Sequence, residues 1–247
     1  MSEITVLEWI AMVLGAVFLG ISRTGIRGST MVAIPIFAEI LGAKVSAGIV
    51  LMLFVVGDGV AIRYYLRNTH WKTVFRLFPW ALGGIVLGAL VGDAVSETAF
   101  RRIMGSILFG SALLLLWREL RKRELIMPGT PVVSAALGSA GGFSSMVGNA
   151  AGPLMNLYLM SKGYNKEQFI GTTAWFFFLM NVAKLPFHFF LWKSVGIGDL
   201  PLVAVFVIPI LAGTALGVWV AKTLPEKPFR LVVVGLAAVA SLRLVLF

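Results

Sequence analysis

A lysine set inside an otherwise apolar run, FFFLMNVAKLPFHFF, is the residue of this sequence that most needs a chemical reason. An Arg or Lys at the centre of a bilayer costs about 2.5–3.5 kcal/mol on insertion scales, so such a charge is kept where something offsets it. Lys184 lies eight residues before Trp192, about 12 Å of helix, which is more than its side chain spans easily toward an interface. Two more cations, Arg23 and Arg27, flank the glycine-containing stretch SRTGIRGST (22–30), where an ordinary cytoplasmic loop explains them equally well. A second such stretch, GGFSSMVGNAAG (141–152), precedes another short apolar segment. Glycine lets a ligand approach the backbone, and a helix starting there leaves free amides at the positive end of its dipole. Two such ends converging from opposite sides would cradle an anion. The plainer account of the glycines is close helix packing.

The candidate binding residues are therefore Arg23, Arg27, Gly28, Ser29, Thr30, Ser144, Ser145, Gly148, Asn149, Asn181, Lys184 and His188. Arg grips an oxyanion bidentately, whereas Lys offers a point charge. Asp58 is the acidic group expected deepest in the membrane. It suits either a proton or sodium site that couples transport, or a charge partner for Lys184 or an Arg. His70 and His188 have no partner at metal-ligand spacing, so neither a metal nor a cofactor is expected. With no Cys, thiolate chemistry and disulfides are excluded. An intramembrane hydrolase using Ser144 or Ser145 with His188 is a rival reading, but no GxSxG elbow appears. A passive anion channel is the other.

The elements that hold these residues are set by composition. Of 247 residues 59% are hydrophobic and 13% charged, with a mean hydropathy of +0.94, so lipid is the solvent. Ten apolar segments are predicted, at 6–22, 29–41, 45–65, 74–92, 103–117, 131–146, 150–160, 169–192, 200–221 and 229–247. The second and seventh are too short for a comfortable crossing and either traverse or re-enter. The acidic start MSEITVLEW is unlike a secretory leader, so the first segment is expected to be retained. Trp71, Trp80, Trp175 and Trp192 are expected as interface anchors or lipid contacts.

If every segment crosses, the connections alternate between faces. Fifteen of the 21 Lys and Arg residues then fall on one face and five on the other, with Lys184 inside a segment. The cation-rich face is cytoplasmic by the positive-inside bias, and both termini are periplasmic. The net charge of +10 thus reflects loops and not a nucleic-acid partner.

The halves also resemble each other. GSTMVAIPIF is echoed by GNAAGPLMNL, GIVLMLFVVGDGVAIRYY by GTTAWFFFLMNVAKLPFH, and PWALGGIVLG by PILAGTALG. The second match pairs Asp58 with Asn181. The expected fold is an all-α polytopic membrane protein, 1–247, with a first repeat at 1–117, a charged cytoplasmic linker at 118–130 and a second repeat at 131–247. Five segments per unit is an odd number, so the second unit is inverted.

At these residues the chain resembles the TauE/SafE family of membrane transporters, the sulfite exporter or 4-toluene sulfonate uptake permease family. The resemblance covers nearly the whole sequence. Its glycine run ahead of the first proline, SRTGIRGSTMVAIP, is poorer than in many members. The resemblance implies a carrier in a bacterial inner membrane for sulfite, sulfonates such as sulfoacetate, or related anions, with lipid and a small anion as partners; a homo-oligomer is compatible. Moving one negative charge out of a negative-inside cell gains about 2.3 kcal/mol per 100 mV, so export needs no partner ion, and uptake would need protons or sodium.

Overall fold

In lipid every backbone amide must find its partner within the chain, and apolar runs of this length do so as helices. The structure is a computed structural model that describes residues 4–22, 29–65, 69–121, 130–223 and 226–246. It is all-helical over those residues, with ten α-helices: α1 (Val6–Ser22), α2 (Ser29–Leu41), α3 (Ala43–Tyr65), α4 (Trp71–Ala94), α5 (Glu97–Arg121), α6 (Pro131–Gly148), α7 (Gly152–Met160), α8 (Lys166–Pro186), α9 (Leu200–Thr223) and α10 (Glu226–Leu246). A π-helical turn, Phe187–Leu191, prolongs α8, and a short 3-10 turn, Ile197–Asp199, leads into α9. Four stretches, Trp71–Ala94, Glu97–Trp117, Glu167–Leu191 and Ile197–Gly217, are long and apolar enough to cross a membrane, and Val6–Ser22, Ser29–Leu41 and Leu231–Leu246 are shorter apolar helices.

Local chemistry sets several boundaries. Thr130 caps α6 by accepting from the Val133 amide at 3.3 Å, with Pro131 opening the helix where its missing N–H costs nothing. Asn165 caps α8 by accepting from the Gln168 amide at 2.8 Å. Pro186 ends the regular part of α8, and the π turn follows directly.

Two apolar cores form. One gathers side chains of α1, α2, α3, α5, α9 and α10, among them Met12, Phe37, Leu53, Met104, Phe206 and Val233. The other joins α4, α6, α7 and α8 through residues such as Leu77, Ile85, Met155, Tyr158, Phe176 and Met180. Trp192 packs against both. Its indole donates to the Ala89 carbonyl at 2.9 Å and its ring stacks edge-on to Phe100, so it is a packing residue and not the lipid anchor expected of it.

The most extensive helix pairs are α4 with α6, α1 with α9, α5 with α10, and α3 with α8. Two of these pairs are backbone seams. A Cβ at Gly142 would collide with the Ala81 carbonyl, and one at Gly84 with the Ser139 carbonyl. A Cβ at Gly20 would collide with the Ile210 carbonyl, and one at Gly213 with the Val17 carbonyl. In both seams the glycine and the carbonyl-bearing residue on each helix stand three positions apart, one helical turn. Glycine there allows helix axes to approach until backbone meets backbone.

The connections gather at the two ends of α3. At its start, Glu97 Oε1 accepts from the Ala43 amide at 2.5 Å and the Lys44 amide at 3.2 Å, placing a carboxylate on the positive end of the helix. Beside it Glu39 pairs with Arg101 at 2.5 Å and Arg243 at 3.1 Å. The α8–α9 connection is at this end too, since a Cβ on Gly48 would strike Val195 and crowd Ser194. At the opposite end, the α3–α4 connection meets the α7–α8 connection, where His70 Nδ1 lies 3.2 Å from Tyr164 OH, and the His70 amide donates to Thr172 Oγ1 of α8 at 2.9 Å.

Candidate functional site

Asn181, Lys184 and His188 are spaced i, i+3, i+7, which puts all three on one face of α8 and its π turn, and all three are buried. That face turns toward α3 and the junction between α6 and α7. Lys184 is 0% exposed. Its ammonium donates to Ser145 O at 3.1 Å, Ser145 Oγ at 3.1 Å and Asn149 Oδ1 at 2.6 Å. The side chain is therefore held inside the protein and does not snorkel to an interface.

Ser145 lies in the last turn of α6, so the ammonium sits at the negative end of that helix's dipole. Asn149 follows in the left-handed conformation at φ 50°, which Asn tolerates better than most residues, and ends the helix. Its Nδ2 donates to the Ala47 carbonyl of α3 at 3.0 Å while its Oδ1 accepts from Lys184. One amide side chain thus ties α3, the α6–α7 break and α8 together. Immediately beyond, α7 begins at Gly152 with no side-chain cap on its first turn and with Pro153 in it.

About a turn along α8 from Lys184, Asn181 Nδ2 donates to Asp58 Oδ2 at 2.7 Å, both residues being 3% exposed. The two positions aligned between the halves of the sequence thus meet across the α3–α8 pair. On the other side of Lys184, His188 Nδ1 and Ser194 Oγ share a hydrogen bond of 2.8 Å, while His188 Nε2 is buried with no partner among the described residues. The polar groups run along roughly 10 Å of helix, at the boundary of the two apolar cores: Val147 and Ala150 belong to one, Met146 and Ala151 to the other.

Several expected residues are placed differently. The stretch GGFSSMVG closes α6 and does not open a helix, so Ser144 and Ser145 offer no free amides at a positive dipole end. Gly142 serves the seam with Ala81, and Gly141 leaves room for Met155. Gly141 and Gly142 thus serve helix packing, while Gly152, the last residue of the 141–152 stretch, opens α7. Ser144 donates to Gly141 O at 3.1 Å within its own helix, and Gly148 lies beside Met104 and Ile107 of α5. Ser29 is buried and Thr30 half-buried in the first turn of α2, a helix packed on α1, α3 and α10. Arg23, Arg27 and Gly28 lie outside the described residues.

Ser194, Gly48 and the Ala47 carbonyl complete the cluster and were missed by sequence reasoning. The π turn inserts an extra residue between His188 and Ser194, which defeats simple helical counting. The serine–histidine pair of a hydrolase does not form with Ser144 or Ser145, because Ser145 bonds Lys184 and His188 bonds Ser194.

Comparison with protein families matches residues 10–244 to the family described as sulfite exporter TauE/SafE. No curated protein matches the chain, and no solved structure does. A match over nearly the whole length identifies a multi-pass membrane transporter and not an enzyme. With ten helices among its described residues, four of them holding stretches long and apolar enough to cross a membrane, and a fully buried lysine on α8, the chain belongs to the TauE/SafE family.

Proposed function

We propose that the chain is a secondary transporter that carries a small anion, sulfite or an organosulfonate, across a bacterial inner membrane by alternating access, in the direction of export. The observation that carries this reading is Lys184, a cation with no solvent exposure inside a membrane-spanning helix. A cation at this depth is costly and is kept where it serves a site, and one bonded to Ser145 and Asn149 at a helix break stands where a small anion can be gripped. The anion would lie at the break between α6 and α7, replacing Ser145 and Asn149 as acceptors for Lys184. The first amides of α7 would face it from the positive end of that helix. Asp58 and Asn181 flank the site, and Asp58 is where a proton or sodium ion would couple to uptake.

An inverted pair of repeats, 1–117 and 131–247, joined by a cytoplasmic linker at 118–130, underlies this mechanism. Three observations support it. The seams are reciprocal: α4 meets α6 as α9 meets α1, through glycines and carbonyls at matching one-turn spacing. The equivalent connections α2–α3 and α7–α8 sit at opposite ends of α3, as inversion requires. Asp58 and Asn181, aligned in sequence, bond each other. The cation count supports an orientation with the α3–α4 and α7–α8 connections in the cytoplasm and both termini in the periplasm. Export follows the membrane potential and requires no second ion.

A thermal-shift screen of the detergent-solubilised protein against sulfite, sulfate, thiosulfate, sulfoacetate, taurine and small carboxylates tests the anion class. A true cargo at 100 times its Kd is expected to add about 2.7 kcal/mol of stability. In proteoliposomes the same anion should show saturable flux and counterflow of labelled substrate. Absence of stabilisation by every anion, together with flux that never saturates, would sink the carrier reading in favour of a pore.

A further inference from the structure

Away from Lys184, a cavity of about 350 Å³ opens where the α3–α4 and α7–α8 connections meet, lined by His70, Lys72, Thr73, Arg76, Tyr158, Lys162 and Tyr164. Three of the seven carry a permanent positive charge, and none of these described lining residues is a carboxylate. The geometry points to a second anion site here, one that binds a phosphate or sulfur oxyanion group between Lys72, Arg76 and Lys162.

The walls are fixed by their own hydrogen bonds. Thr73 Oγ1 bonds Tyr164 OH and, at 3.0 Å, His70 Nδ1, which also lies 3.2 Å from Tyr164 OH. Lys162 Nζ stands 4.3 Å from the centre of the Tyr158 ring, and Tyr158 OH is anchored 2.8 Å from Ser134 Oγ. Lys72 and Arg76 occupy the first two turns of α4, a helix with no acidic residue in its first turn and no side-chain cap from His70. The positive end of the helix dipole adds to the field that favours an anion there. The positive-inside bias accounts for cations on this face but not for their convergence, from α4 and from the α7–α8 connection, on one cavity. The ammonium groups of Lys72 and Lys162 and the guanidinium of Arg76 supply the donors that a tetrahedral or pyramidal oxyanion accepts. Trp71 stacks on Phe75 and lies 5.0 Å from Trp175, an aromatic cluster of the kind found at headgroup level. The occupant is thus either a free oxyanion or the phosphate of an anionic lipid, and the site does not depend on which cargo Lys184 serves.

The test uses the full chain in neutral detergent at low ionic strength, with potassium sulfate and potassium phosphate titrated by calorimetry. A parallel arm incubates it with phosphatidylglycerol and counts retained lipid by native mass spectrometry. Saturable anion binding that survives Lys184→Met but weakens at least tenfold in the variant K72Q/R76Q/K162Q is the expected result. Loss of retained phosphatidylglycerol in that triple variant, with no free-anion binding in either protein, would also support the site and assign it to lipid. The proposal is overturned if the triple variant matches the parent in both arms, or if Lys184→Met abolishes binding that the triple variant keeps. Arg76→Gln alone, at an exposed position, repeats the test should the triple variant express poorly.

Discussion

Lys184→Met is expected to weaken binding of the transported anion about 10- to 100-fold and to reduce proteoliposome flux correspondingly. A hydrogen bond to a charged group contributes about 1.5–3 kcal/mol, and each 1.4 kcal/mol is a factor of ten. Met keeps the length and apolar packing of the Lys stem, but the acceptors left behind at Ser145 and Asn149 are expected to cost folding about 1–3 kcal/mol as well. Asn149 Oδ1 loses a donor, but Asn149 Nδ2 keeps its bond to Ala47 O, and Ser145 O keeps the Asn149 amide at 3.0 Å. Thermal melting and anion titration of the same purified variant separate the two roles. A lysine that merely tied off the end of α6 would lower the melting temperature and leave anion affinity intact, and that outcome would remove Lys184 from the transport site.

The second large effect separates two adjacent glycines. Gly84→Ala drives a methyl group into the Ser139 carbonyl, whereas Gly83→Ala meets nothing within 4 Å. Overpacking of a tight contact costs about 1–3 kcal/mol, and the obstacle at Gly84 is backbone, which cannot rotate aside. Gly83 faces outward, and alanine there is expected to be neutral or slightly stabilising, since it is the better helix former. Apparent melting temperature in detergent should therefore fall for Gly84→Ala and hold for Gly83→Ala. Equal behaviour of the two variants would mean that the seam between α4 and α6 is looser than described.

The helices were legible because lipid leaves little choice: α1 and α2 occupy the expected 6–22 and 29–41, and the short seventh segment is α7. Lys184 was legible for the same reason, since a charge within an apolar run has few explanations, and Asn181 and His188 share its face by simple helical spacing. Glycine was the ambiguous letter. In GGFSSMVG it reads equally as an opening for a ligand or as a surface for a neighbouring helix, and only the position of Ala81 decides. Ser194 was hidden by the π turn, and the cationic cavity by distance along the chain, because Lys72 and Lys162 become neighbours only once α3 and α8 pair.

The glycine seams also dictate which parts of the molecule travel together. Each rivets a helix of the first half to one of the second, α1 to α9 and α4 to α6, so neither half can swing as a unit without tearing a contact made of main chain. On the alternating-access reading proposed above, the plane of slippage runs instead between the two apolar cores, through the α3–α8 contact where Lys184 lies. In this cysteine-free chain, an engineered disulfide joining α4 to α6 should leave turnover intact, while one joining α3 to α8 should arrest it; arrest by the first would refute this division of moving parts.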